Sequence, residues 1–148
     1  MIIKKISLSP KQTIEFAKKI GSKLHKGDII AYKGGLGAGK TTFTRGIVLG
    51  IGLDDDVTSP TFALVNEYSG GNILVYHFDM YRITNEDALE STGFYDYPLD
   101  QSVFIIEWAE NILELLPQNI ISITINYIND NSREIIIEGD ERFADIGN

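Results

Sequence analysis

Residues 34–41 read Gly34-Gly35-Leu36-Gly37-Ala38-Gly39-Lys40-Thr41 and fit the spacing G-x-x-x-x-G-K-[ST] at every fixed position. Each fixed residue type has a mechanical job. The glycines let successive backbone N–H groups turn inward and form a nest around the α- and β-phosphates of a nucleotide. Lys40 brings an ammonium to the β- and γ-phosphates, and the Thr41 hydroxyl is a ligand for Mg²⁺. The nucleotide contacts expected from this stretch are Gly35, Leu36, Gly37, Ala38, Gly39, Lys40, Thr41 and Thr42.

The flanks decide whether the match is more than a glycine-rich turn ahead of a lysine. Asp28-Ile29-Ile30-Ala31-Tyr32 is a short apolar run of strand character. Thr41 to Ile51 reads as a helix, with Phe43 and Ile47 four apart on one face. Strand, loop and helix come in the order the mechanism needs, and the positive end of the helix adds to the anion site. The chain is therefore read as binding a nucleoside triphosphate.

Composition bounds the rest. A chain of 148 residues, 43% hydrophobic and 23% charged, is expected to form one globular domain over 1–148. No apolar run approaches the ~20 residues that span a bilayer, and no signal peptide is visible, so a soluble, cytoplasmic protein with no membrane partner is expected. The absence of cysteine excludes a disulfide framework, a thiolate nucleophile and a Cys-based zinc site. A net charge of −8 argues against a broad nucleic-acid footprint, so a role in a nucleic-acid pathway would run through another protein.

Outward from the loop, residues 2–8 read as an edge strand whose lysines discourage edge pairing. Ser9-Pro10-Lys11-Gln12 fits a capping box, opening a helix that carries Ile14, Ala17, Ile20 and Leu24 and is expected to end near Gly27. After Ile51, the stretch 52–61 with Asp54-Asp55-Asp56 reads as a solvated acidic loop rather than a metal site. Residues 61–68 and 73–79 form a hairpin about Ser69-Gly70-Gly71-Asn72, and Thr84-Asn85 starts a short acidic helix that runs to about Ser91 and is stopped by Gly93. Residues 103–107 read as a buried central strand and 109–116 as a helix ended by Pro117. Residues 120–128 and 133–138 make a second hairpin, and the polar last ten residues read as loosely ordered. The expected fold is α/β: a three-layer, P-loop NTPase-like arrangement with a mixed sheet, parallel around the loop and antiparallel at the hairpins.

Magnesium on a triphosphate needs a carboxylate at the end of a neighbouring strand, directly or through water. Asp79 closes the strand at 73–79 and Glu107 closes the one at 103–107. Both are read as facing the nucleotide, with Lys40 completing a catalytic set; periodicity does not say which carboxylate holds the metal and which orients water. Arg82 reads equally as an arginine finger, a partner contact or a surface ion pair. His77 shares the face of Asp79 and reads as packing or hydrogen-bonded support. Trp108 reads as core by default, or as a stacking platform.

Gly34-Gly35-Leu36-Gly37-Ala38-Gly39-Lys40-Thr41-Thr42-Phe43-Thr44-Arg45-Gly46, Ser59-Pro60-Thr61-Phe62, Tyr76-His77-Phe78-Asp79-Met80-Tyr81-Arg82 and Glu107-Trp108-Ala109-Glu110 together resemble the TsaE (formerly YjeE) family, over about residues 9–138. The resemblance implies an ATPase required in bacteria for the threonylcarbamoyl modification of adenosine 37 in tRNA. It implies ATP and Mg²⁺ as cofactors, and the TsaD and TsaB proteins as partners, with tRNA reached only through that complex. By the same resemblance Thr41 and Glu107 are the Mg²⁺ ligands and Asp79 is the acidic residue needed for hydrolysis. Ser59, Pro60 and Thr61 belong to a switch segment that responds to the γ-phosphate. Thr13 and Arg133 contact the nucleotide from the base side, and Tyr81, Arg82 and Trp108 belong to the same site or to the partner surface. One position departs from the pattern: Gly35 stands where the family usually has Asp.

Rival classes fare worse. A small P-loop nucleotide kinase needs several arginines to clamp two charged substrates, and four scattered ones fall short. A GTPase is expected to carry Asn-Lys-x-Asp, which does not occur, and Asp79-Met80-Tyr81-Arg82 lacks the switch glycine of that class. A non-catalytic, ATP-dependent regulatory module binds nucleotide without turnover and is separated from an ATPase only by assay.

Overall fold

A computed structural model describes residues 1–33, 39–54, 57 and 65–146 of the chain. The elements are β1 (Ile2–Ser7), α1 (Pro10–Gly21), β2 (Ile29–Lys33), α2 (Lys40–Ile51), β3 (Val65–Tyr68), β4 (Leu74–Asp79), α3 (Glu86–Ser91), β5 (Ser102–Glu107), β6 (Ile121–Tyr127) and β7 (Arg133–Glu138). The strands form one seven-stranded sheet in the order β1-β7-β6-β2-β5-β4-β3. Strand β2 pairs parallel with β5 and β6, and β5 parallel with β4; the β3–β4, β6–β7 and β1–β7 pairs are antiparallel. This is the mixed sheet the sequence predicts, and β1 is at its edge.

Alternation along the strands divides the core into two layers. Ile30, Tyr32, Val103, Ile105, Val75 and Ile123 pack with Phe16, Ile20, Phe43 and Ile47 of α1 and α2 on one face. Ala31, Phe104, Ile106, Tyr76 and Phe78 pack with Leu89 of α3, Phe94 and Ile112 on the other. Helix pair, sheet and opposite layer make the three-layer α/β architecture. The two helices cross closely because α2 presents glycine. A Cβ on Gly46 would sit 2.5 Å from Ala17 Cβ and 2.6 Å from the Ile14 carbonyl oxygen.

Local signals explain most element ends. Ser9 accepts from the Gln12 amide at 3.1 Å, and the Gln12 side chain accepts from the Leu8 amide at 2.9 Å, a capping box whose return bond reaches one residue before the cap. Helix α1 stops at Gly21 rather than near Gly27, because residues 22–28 form the turn into β2. There the Asp28 carboxylate accepts from the His25 amide and Gly27 takes φ +96°. Residues 109–116 form two 3₁₀ turns, Ala109–Asn111 and Leu113–Leu115, instead of a helix. Asn111 is drawn away from helical continuation by donating its side-chain amide to the carbonyls of Met80 and Tyr81. Up to Ile146 the polar C-terminal residues are packed: Phe143 and Ile146 enter the core, and Arg142 donates to both carboxylate oxygens of Asp28 at 2.6 and 3.0 Å. No helix among the described residues is long and apolar enough to cross a membrane.

Candidate phosphate site at the carboxyl ends of the parallel strands

In an open α/β sheet, ligands bind beyond the carboxyl ends of the parallel strands. Here that edge carries Lys33 of β2, Glu107 of β5, Asp79 of β4 and Tyr127 of β6, and the antiparallel pairing brings Ser7 and Arg133 to it as well. Helix α2 begins there. Gly39 precedes it at φ +101°, a left-handed conformation that favours glycine, and Lys40 is its first residue, only 7% exposed. Thr41 and Thr42 follow, half-buried, in the first turn. Gly35, Leu36, Gly37 and Ala38, like Ser59, Pro60, Thr61 and Phe62, lie outside the described residues.

The two carboxylates named from sequence come together. Asp79 and Glu107 are directly paired in the parallel register of β4 and β5. Asp79 Oδ1 accepts from the Tyr81 amide at 2.9 Å, and the Met80 amide donates to the Glu107 carbonyl at 3.0 Å, so the segment after β4 is tied to the end of β5. Glu107 is further held by His77, whose Nε2 is 2.6 Å from Oε2. The supporting role expected of His77 is the one observed.

Trp108 packs against the margin of the second core layer rather than inside it. It is half-buried and, among the described residues, the only non-glycine with positive φ, at 60°. That backbone costs an L-residue roughly 1–2 kcal/mol. Its indole lies 5.2 Å from Lys40 Nζ and 4.9 Å from the Tyr81 ring. Tyr81 is exposed, as is Arg82, which among the described residues makes no ion pair. Thr13 is buried, and its hydroxyl is 2.6 Å from that of Ser7, the register partner of Arg133. The Arg133 guanidinium donates to the carbonyls of Asn129 and Ser132, and its Nε lies 3.7 Å from where a Cβ on Gly39 would stand. Thr13 and Arg133 thus flank the start of α2 from the β1–β7 side, while Asp79, Glu107 and Trp108 flank it from the other.

Two contributors were not read from the sequence. The Tyr32 hydroxyl is 2.7 Å from Thr44 Oγ1 beneath α2, and burial, with the Glu107 charge adding to it, pushes the phenol well above its ordinary value. The Tyr68 hydroxyl is 3.1 Å from His77 Nδ1. Both partnerships depend on tertiary pairing, and no local pattern marks either tyrosine.

The donor set suits a hard cation that arrives with phosphates. One hydroxyl, Thr41, and two carboxylates are all-oxygen ligands, and among the described residues no cluster of three His, Asp or Glu forms a self-sufficient cage. Glu107 Oε2 is paired with an imidazole nitrogen at 2.6 Å, the kind of outer hydrogen bond that metal-ligating carboxylates carry.

Comparison with known proteins gives the family and the fold. The family model described as threonylcarbamoyl adenosine biosynthesis protein TsaE matches residues 7–135. The chain is 41% identical over 129 residues to the tRNA threonylcarbamoyladenosine biosynthesis protein TsaE of Bacillus subtilis, covering 87% of this chain and 80% of that one. It is 42% identical over 122 residues to the protein of the same name from Haemophilus influenzae, covering 79% and 77%. The crystal structure of Bacillus subtilis YdiB superposes with a TM-score of 0.76 at 33% identity, covering 99% of this chain and 91% of that one. The chain belongs to the TsaE family, whose role lies in the biosynthesis of threonylcarbamoyladenosine in tRNA.

Proposed function

We propose that this chain, as one domain over residues 1–148, binds Mg-ATP at the start of α2 and hydrolyses it slowly on its own. In this reading it acts in the cytoplasm on a TsaD–TsaB complex and meets tRNA only through that complex. The observation that supports this most is the convergence of a buried lysine at a helix N-terminus with two strand-end carboxylates paired in register. The helix start and Lys40 neutralise phosphate charge in a site of low exposure, where such neutralisation is most effective. Thr41 and Glu107 would hold Mg²⁺, which when bound supplies positive charge to the phosphate oxygens. Asp79, fixed through the Tyr81 amide, accepts a hydrogen bond from the attacking water and orients it.

Thr13 and Arg133 contact the nucleotide on the β1–β7 side, and Gly35 through Thr42 wrap its phosphates. The Ser59-Pro60-Thr61 segment senses the γ-phosphate, and Tyr81, Arg82 and Trp108 face the partner. The test measures ATP binding and hydrolysis by the purified chain, alone and with TsaD–TsaB. Binding that disappears in Lys40→Ala and turnover that rises with partners support the reading. Full pathway activity in Lys40→Ala refutes it, and binding without turnover under every condition assigns a regulatory module instead.

A further inference from the structure

His77 is fully buried in β4, yet both ring nitrogens have partners: Nε2 at 2.6 Å from Glu107 Oε2, and Nδ1 at 3.1 Å from the Tyr68 hydroxyl. Its strand neighbour in register is Ile105, and Val75 precedes it on the same face. An aliphatic side chain there would pack equally well without burying polar atoms, so packing alone does not account for an imidazole. An ionised carboxylate only accepts, so Nε2 carries a proton and donates to Glu107. In the neutral ring Nδ1 is then bare, and the Tyr68 hydroxyl donates to it. The bonds run in one direction, from β3 through β4 to the end of β5.

We propose that His77, braced on its far side by Tyr68, is a positioning residue for Glu107. By holding Oε2 it fixes the rotation of the carboxylate and so the direction in which Oε1 is offered to Mg²⁺ beside Thr41. The inference rests on the reading of Glu107 given above. Outer hydrogen-bond partners of this kind change metal affinity by about 10–100-fold when removed.

The test compares ATP affinity by calorimetry with Mg²⁺ and with a chelator, in the wild type, His77→Phe, His77→Gln, Tyr68→Phe and Glu107→Gln. His77→Phe keeps the ring volume but no donor, and is expected to lose about tenfold or more of the Mg²⁺-dependent gain in affinity, with chelator-condition affinity unchanged. His77→Gln retains a donor near the Nε2 position and keeps most of the gain. Tyr68→Phe removes the bond behind the ring but leaves the one to Glu107, and so loses less than His77→Phe; imidazole nitrogen NMR shows the Nε2–H form in the wild type.

A folded His77→Phe with the full gain overturns the inference. Should that variant fail to fold, a wild-type ring in the Nδ1–H form overturns it instead. If Glu107→Gln abolishes the gain while His77→Phe does not, only the positioning role fails. If Glu107→Gln leaves the gain intact, the reading of Glu107 fails and this inference with it.

Discussion

Alanine at Gly46 separates intrinsic helix preference from the crossing of α1 and α2. In an exposed helix interior the change stabilises by roughly 0.5–1 kcal/mol, because alanine loses less backbone freedom on folding. Here the new Cβ meets Ala17 Cβ at 2.5 Å and the Ile14 carbonyl oxygen at 2.6 Å, where ordinary contact begins at 3.4 Å. Neither obstacle rotates away: one is the first side-chain atom and the other is backbone. The helices must separate by most of an ångström, and overpacking of this kind costs about 1–3 kcal/mol. The steric term exceeds the propensity term, leaving a net destabilisation of about 1–2 kcal/mol. With a urea slope of about 1–3 kcal/mol per molar, the midpoint falls by roughly 0.3–2 M. Urea unfolding followed by circular dichroism and by Trp108 fluorescence reads this directly. The same shift displaces the start of α2, so nucleotide affinity falls in the folded variant too. A Gly46→Ala protein more stable than the wild type would refute the claim that close approach, not flexibility, selects glycine there.

Three further outcomes are expected. Trp108 is the single tryptophan and lies 5.2 Å from Lys40 Nζ, so ATP, by drawing the ammonium toward phosphate, changes its fluorescence saturably; an unchanged titration in Lys40→Ala would count against that link. The Arg142 guanidinium holds the Asp140 carboxyl down at about 2, below its ordinary 3.8. Its contribution to stability is therefore present above pH 3.8 and lost as pH falls from there through 2. Carboxyl NMR should show the low midpoint in the wild type and a return toward the ordinary value in Arg142→Ala; equal midpoints would remove Arg142 as the cause. Transfer RNA should bind the isolated chain weakly, with whatever association appears at low salt erased near 0.15 M. Lys4, Lys5, Lys11, Lys18 and Lys19 lie on β1 and α1. Glu86, Asp87, Glu90, Asp96, Asp100, Glu110 and Glu114 occupy the opposite layer, where residues 83–117 contain no lysine or arginine. Reversing the charge of Lys11, Lys18 and Lys19 should remove the low-salt binding, and tight binding at physiological salt would overturn the argument from net charge.

What was legible in the sequence is what depends on neighbours along the chain. The Ser9–Gln12 cap, the Gly39–Lys40 helix start and the runs at β4 and β5 are local patterns, and the structure places each where the pattern does. The 3₁₀ turns after Trp108 were not legible. Their cause is the Asn111 side chain bonding Met80 and Tyr81, some thirty residues earlier. The ordered C-terminus was hidden for a similar reason. Its polar composition says nothing of Arg142 finding Asp28 across |i−j| = 114, or of Phe143 entering the core.

The candidate site divides along the same line. Lys40 and Thr41 are read from eight consecutive residues, but the carboxylates become a pair only through the parallel register that sets Asp79 against Glu107. That register has a further consequence. On parallel strands, side chains of the same parity share a face, so His77, two residues before Asp79, projects beside Asp79 toward the neighbouring strand and within reach of the Glu107 carboxylate. One frame of pairing therefore sets Asp79 beside Glu107 and brings the His77 imidazole against the Glu107 carboxylate. A one-residue slip of β4 on β5 would turn His77 and Asp79 to the opposite face, away from Glu107. The apolar alternation of Val75, Ile105 and Val103 against Tyr76, Phe78 and Phe104 opposes that slip, so the two-sided core that stabilises the sheet also keeps the site in register.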